Sequence, residues 1–229
     1  MNDKKVAFIT SVNDEELYEE SKFYVEHLII PEDSEIEVEF IKIKDFNSIT
    51  SAYNEGIRRS DAKYKIFMHQ DVFIVNKNFI QDILHIFNLD KNIGMIGMVG
   101  CKTIPVNGVW WEASDCLGKV ADSHIGSMEI INFHEVKDIY EEVEAIDGLI
   151  MITQYDIPWR EDIFQGWHFY DVSHSLEFKR NGYKVVVPNQ QSIWCIHDCG
   201  RIELDFSYED GRKKLLDEYA EDINTLKVT

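Results

Sequence analysis

Through the first hundred positions, short apolar runs alternate with stretches whose apolar residues recur at helical spacing. Residues 6–12 form an apolar run, the polar Asn13-Asp14-Glu15-Glu16 follows, and residues 17–28 carry a helical pattern. Residues 35–40 alternate charged and apolar side chains and continue into Ile41-Lys42-Ile43, which predicts a half-buried strand. Residues 49–60 predict a helix that Ser48 can cap. Residues 64–68 predict a strand ending at His69-Gln70-Asp71, residues 79–87 a helix, and residues 93–99 a central strand. This alternation predicts an α/β domain with a mostly parallel central sheet flanked by helices.

The second half is less regular. Residues 105–127, with two tryptophans and several acids, read as a long functional loop or irregular hairpin. Residues 143–153 predict a strand with Asp147-Gly148 set inside it, and residues 169–181 a helix with Gly182 just past its end. A β-branched strand over 183–187 stops at Pro188, a short strand spans 192–196, and an acidic-basic helix spans 208–226. That last helix reads as solvated or as covering a second copy, so a homo-oligomer stays open.

The 229 residues are 45% hydrophobic and 28% charged, enough chain and apolar content for a sizeable core. No repeat, low-complexity tract or flexible linker divides them, so one domain over 1–229 is expected. Asp and Glu total 42 against 23 Lys and Arg, a formal charge of −19. That balance opposes nucleic-acid binding, which needs a basic face, and docking on an anionic membrane. No stretch approaches the roughly 20 apolar residues of a membrane span. The first apolar run is too short for a signal-peptide core. Cys101, Cys116, Cys195 and Cys199 are too few for a disulfide framework and read as reduced thiols of a cytoplasmic protein.

His69 and Asp71 are two residues apart, so on an extended segment both point the same way. An imidazole and a carboxylate so placed can ligate a divalent metal, and the acidic chain would need one to hold a diphosphate. A strand-end turn of solvated polar residues accounts for the same pattern. Cys195, His197 and Cys199 would share one face of a strand and suggest zinc, though a fourth ligand is not evident. Trp110 and Trp111 offer an apolar face to a sugar ring or pack in the core.

Several of these segments together resemble inverting family-2 glycosyltransferases of the GT-A fold. The similarity runs from Phe8-Ile9-Thr10-Ser11-Val12-Asn13-Asp14-Glu15 through Tyr53-Asn54-Glu55-Gly56 and His69-Gln70-Asp71. It continues through Asp147-Gly148-Leu149-Ile150 and the segment from Phe164 to Leu176 that contains Asp171. His69 stands where the family has the first Asp of Asp-x-Asp, as in a divergent, small, stand-alone branch. The resemblance implies a single GT-A domain, with a nucleotide-binding part over about 1–100 and an acceptor and catalytic part over about 101–200. It implies a nucleotide-diphosphate sugar contacted by Thr10, Val12, Asn13, Glu15, Asn54, Gln70, Asp147 and Gly148. A divalent metal, manganese or magnesium, would sit on His69, Asp71 and His197. Asp171 would be the general base, with Trp110, Trp111, Trp167 and His168 on the side of an unidentified acceptor hydroxyl. Two other readings stand beside this one: a non-catalytic nucleotide-diphosphate binder of the same fold, and a zinc-containing hydrolase built on the Cys195, His197, Cys199 pattern.

Overall fold

The computed structural model describes residues 1–30, 34–202 and 206–225, with side chains described to residue 223. The first apolar run becomes β1 (Asn2–Ser11), and Asp14 caps α1 (Glu15–Glu26) by accepting hydrogen bonds from the Glu16 and Leu17 amides. β2 (Glu37–Ile43), α2 (Ile49–Arg59) and β3 (Ala62–Met68) follow, and the Ser48 hydroxyl accepts from the Ser51 amide at 3.3 Å at the start of α2. Then come β4 (Val72–Ile74), α3 (Phe79–Leu89), β5 (Ile93–Gly97), β6 (Val99–Cys101) and β7 (Cys116–Asp122). The chain continues through β8 (Glu129–Asn132), β9 (Tyr140–Val143), β10 (Ala145–Ile146), β11 (Ile150–Thr153), α4 (Tyr170–Arg180), β12 (Lys184–Pro188) and β13 (Cys195–His197). It closes with α5 (Phe206–Glu218) and α6 (Ala220–Thr225).

The main sheet has seven strands in the order β2-β1-β3-β11-β5-β12-β9. β1 pairs in parallel with β2 and β3, and β12 with β5, while β11 and β9 run against their neighbours. The expected mostly parallel α/β architecture is therefore present. β3 lies inside it between β1 and β11, with Ile66, Phe67 and Met68 at most 1% exposed. Burying a side chain of that size contributes about 1.5–3 kcal/mol relative to leaving it in water. α2 lies close on β1 because position 56 is glycine: a Cβ there would come within 2.3 Å of Ile9.

A second sheet of six strands was not anticipated. It runs β10-β6-β7-β13-β4, with β8 on the far side of β7. The run expected as one strand over 93–99 divides between the two sheets at Met98, as β5 and β6. The region expected as a loop or irregular hairpin over 105–127 contains a short 3-10 helix (Trp110–Glu112) and the largely buried β7, which pairs antiparallel with β6 and β8. The strand expected over 143–153 is β10, a turn and β11, which belong to different sheets. The short strand lies at Cys195–His197 rather than 192–196. The single helix expected over 208–226 is two, interrupted at Tyr219, and Leu226 lies outside the described residues. Tyr219, at the break, is fully buried, with its hydroxyl against Ser173 and Glu177 of α4. Among the described residues no helix is long and apolar enough to cross a membrane.

Candidate functional site

The carboxyl end of β3 delivers His69-Gln70-Asp71 between the two sheets. The His69 amide bonds to the Leu149 carbonyl at 3.0 Å, and the Asp198 amide to the Asp71 carbonyl at 2.9 Å. These bonds tie the triplet to the turn before β11 and to the end of β13. Strand pairing then fixes the third partner: β13 lies between β4 and β7, with His197 opposite Val72 on one side and Asp122 on the other.

His69, Asp71 and His197 converge, with ligand atoms all within 4.8 Å of one another. His69 Nδ1 stands 3.4 Å from His197 Nε2, and His197 Nε2 stands 3.6 Å from Asp71 Oδ1. Each imidazole is held by its other nitrogen. His69 Nε2 meets the Tyr170 hydroxyl at 2.5 Å, and His197 Nδ1 meets Asp122 Oδ2 at 2.8 Å. When both rear nitrogens carry the proton, the front nitrogens present lone pairs to one point. A carboxylate or tyrosine behind a ligating histidine is the usual way a protein orients it.

Asp71 Oδ1 is buried and has no hydrogen-bond partner. A buried carboxylate oxygen without a donor is costly, and a cation would satisfy it. Two imidazoles and one carboxylate can ligate a first-row divalent ion, of which manganese is one. The residues therefore fit the metal that the sequence suggested.

The charges are ordered around this point. Burial and the neighbouring His197 lower His69 to about 4, so its ring is neutral near pH 7. Burial works against a charged His197, but hydrogen bonds to Asp122 and Cys199 and the Asp71 charge outweigh it and raise its pKa. Burial likewise disfavours ionised Asp122, yet hydrogen bonds from His197 and the His124 amide pull it down to about 2.

A second carboxylate pair borders the site. The Asp147 side chain accepts from the Leu149 amide at 2.7 Å and closes the turn, and burial raises its pKa. Asp171, half-buried in the first turn of α4, is pushed up to about 7 by burial and then by the Asp147 charge. Gly148 follows Asp147 and leaves room for Tyr170: a Cβ there would stand 2.1 Å from the Tyr170 hydroxyl, so any side chain would have to displace it. The tyrosine that holds His69 and the carboxylate at 171 are thus adjacent on one helix end.

Of the residues expected to contact a nucleotide, Thr10 and Val12 are buried at the end of β1. Gln70 accepts from the Asn13 and Asp14 amides at 2.9 Å each, and its amide donates to Asn13 Oδ1. It fastens the β1–α1 turn to the end of β3. Glu15 is engaged by Lys42 at 2.7 Å and by Lys44. Asn54 is buried with both amide atoms on the Trp159 backbone, at 3.0 and 2.9 Å, which is the arrangement of a structural clamp. Of the residues expected beside an acceptor, Trp110 is buried in the core. Trp111 and Trp167 are exposed. Trp111 and His168 both meet the ring of Tyr208, at 6.0 and 5.4 Å between centroids. Cys195 is part of the buried core; the residues that meet His197 and Cys199 are headed by Asp122 instead.

Asp122, Tyr170 and Tyr208 were not assigned a role by sequence reasoning. Asp122 and His197 are 75 residues apart, and only the β7–β13 register brings them together. Tyr170 carried a signal, since it directly precedes the carboxylate singled out at 171.

Residues 7–219 match the model of a glycosyltransferase-like family. No curated protein sequence matches the chain significantly. Among solved structures, the 1–349 fragment of TarS from S. aureus, in complex with UDP-GlcNAc, aligns with TM-score 0.62 at 11% identity. It covers 96% of this chain and 66% of its own. GalNAc-T7 with UDP, GalNAc and Mn2+ aligns with TM-score 0.63 at 8% identity, covering 96% of this chain and 49% of its own. The mannosyltransferase PcManGT from Pyrobaculum calidifontis, in complex with GDP-Man and Mn2+, aligns with TM-score 0.54 at 12% identity, covering 96% and 64%. The chain thus spans between about half and two thirds of these proteins, and shares with them the GT-A fold.

Proposed function

The chain belongs to this glycosyltransferase-like family, and from that premise we propose that it transfers a sugar, with inversion, from a nucleotide-diphosphate donor to an acceptor hydroxyl. The observation that carries the reading is the convergence of His69, Asp71 and His197 on a buried, unpartnered Asp71 oxygen at the end of β3. These three residues would hold a divalent cation, manganese or magnesium, which supplies Lewis-acid charge for a departing diphosphate.

The remaining parts follow from the chain's own residues. Gln70 and Asn13 fix the turn along which Thr10, Val12 and Asn13 would line the nucleotide, and Asp147-Gly148 would close the donor side. Asp122 and Tyr170 orient the imidazoles. Asp171 takes the acceptor hydroxyl's proton as the new bond forms, and a carboxylate near 7 is matched to that task at neutral pH. Trp111, Tyr208 and His168 form an aromatic surface suited to a sugar ring's apolar face.

The test is thermal stability with uridine or guanosine diphosphate, with and without manganese, followed by turnover of the matching nucleotide sugar. Metal-dependent stabilisation by the nucleotide is expected, since a ligand of the folded state raises its stability by mass action. Stabilisation without turnover, across a panel of donors and acceptors, would favour the non-catalytic binder. No metal-dependent nucleotide binding at all would overturn the proposal.

A further inference from the structure

His197 faces two groups of ligand atoms. Its Nε2 looks toward His69 and Asp71 and its Nδ1 toward Asp122, and Asp122, His197 and Cys199 each offer a ligand atom within 4.8 Å of the other two. Asp122 is the hub: it meets His197 Nδ1 at 2.8 Å, Cys199 Sγ at 3.8 Å and His124 Nδ1 at 2.7 Å. The backbone keeps this group together. Ser123 bonds through its amide to the His197 carbonyl at 3.2 Å, and the Gly200 amide bonds to the Ser123 hydroxyl at 2.8 Å.

Bonds of about 2.0–2.3 Å to a tetrahedral zinc place its ligand atoms roughly 3.3–3.8 Å apart. Cys199 Sγ already stands at that separation from Asp122 Oδ1, and His197 Nδ1, which meets the other carboxylate oxygen, Oδ2, needs to open from it by about half an ångström. A thiolate, one or two imidazoles and a carboxylate suit zinc or cadmium and poorly suit magnesium or manganese. His124, whose side chain is 43% exposed, can turn to supply the fourth position.

We propose that Asp122, His197 and Cys199 form a second metal site, for a soft or borderline cation such as zinc, which shares the His197 ring with the first. Binding there displaces the proton on His197 Nδ1 and the thiol proton of Cys199 to solvent. A neutral imidazole metallated at Nδ1 carries its hydrogen on Nε2, so Nε2 no longer offers a lone pair toward Asp71. The two sites are therefore mutually exclusive, and zinc inhibits through the shared ring. This exclusivity rests on the reading of the first site given above; the existence of the second does not.

Cadmium reports the second site alone, because its bond to a thiolate gives an ultraviolet charge-transfer band and the other three cysteines are buried. Titrating the metal-free full chain with cadmium should give a band that saturates at one equivalent. The band should vanish in Cys199→Ser, weaken at least tenfold in apparent affinity in His197→Ala, and persist in Asp71→Ala. A band unaffected by Cys199→Ser, or undiminished in His197→Ala, overturns the site. Saturating manganese should raise the cadmium concentration at half-signal in the wild type and leave it unchanged in Asp71→Ala. If manganese binds the wild type without moving the cadmium titration, the shared-ring exclusivity is wrong. If the wild type binds neither manganese nor magnesium, with or without a nucleotide diphosphate, the proposed function fails instead, and the first three titrations still decide the second site. Matching circular dichroism of each variant confirms that folding is intact.

Discussion

Replacing Asp171 by Asn removes one proton acceptor and one buried charge while keeping the shape, so it separates chemistry from stability. Burial and the Asp147 carboxylate raise Asp171 from 3.8 to about 7. At about 1.4 kcal/mol for each tenfold change in proton affinity, that rise corresponds to a ceiling of about 4 kcal/mol. The sign follows from the direction. A carboxyl whose folded pKa is raised contributes its full stability below the ordinary carboxylate value and loses it as pH rises through about 7. Above that, the ionised Asp171 burdens the fold, and the neutral amide of the Asp171→Asn variant does not. In metal-free protein the variant should melt higher than wild type at pH 8.5, by up to roughly 10 °C, and the advantage should vanish by pH 5. Turnover should fall by roughly 10²–10⁴-fold while nucleotide affinity is unchanged. The assays are scanning fluorimetry at the two pH values, nucleotide titration, and donor hydrolysis until an acceptor is identified. Equal transfer to an identified acceptor by both proteins would refute the role as base. Equal melting at both pH values would refute the electrostatic argument.

The same geometry sets the remaining outcomes. Asp71→Ala should abolish manganese-dependent stabilisation by uridine or guanosine diphosphate, checked by thermal shift. Because His197 is raised and thus protonated in the metal-free protein, manganese must displace a proton from it. Manganese affinity, followed by the paramagnetic resonance signal of the free ion, should therefore rise with pH. Gly148→Ala should push the Tyr170 hydroxyl off His69 at a cost of about 1–3 kcal/mol, read in denaturant unfolding, and Tyr170→Phe in the same chain should recover part of it. Asn54→Ala should destabilise by about 1–3 kcal/mol through the unpaired Trp159 backbone, with manganese affinity intact in the fraction that folds.

The local pattern along the chain was enough to determine β1 to β3, α1 to α3 and the start of β5, because burial faces repeat with the period of the element. It determined the Ser48 cap, and the helix carrying Asp171 with Gly182 beyond it, since caps and glycine stops act over a few residues. Of the site, His69 and Asp71 were legible because two residues on one extended segment share a face, and the family resemblance supplied His197. The second sheet was not legible. β4, β6, β8 and β10 are two to four residues long, too short for periodicity to register, and they exist only through pairing with distant strands. For the same reason Asp122 looked like part of a loop. Its place behind His197 is set by the register of β7 against β13, a long-range hydrogen-bonding choice that no local run of residues encodes. Asn54 shows the converse: a polar residue inside a recognised motif, whose partners on the Trp159 backbone lie 105 positions away. Which residues can bind was written in their side chains; which of them face one another was decided by how the two sheets close on the end of β3.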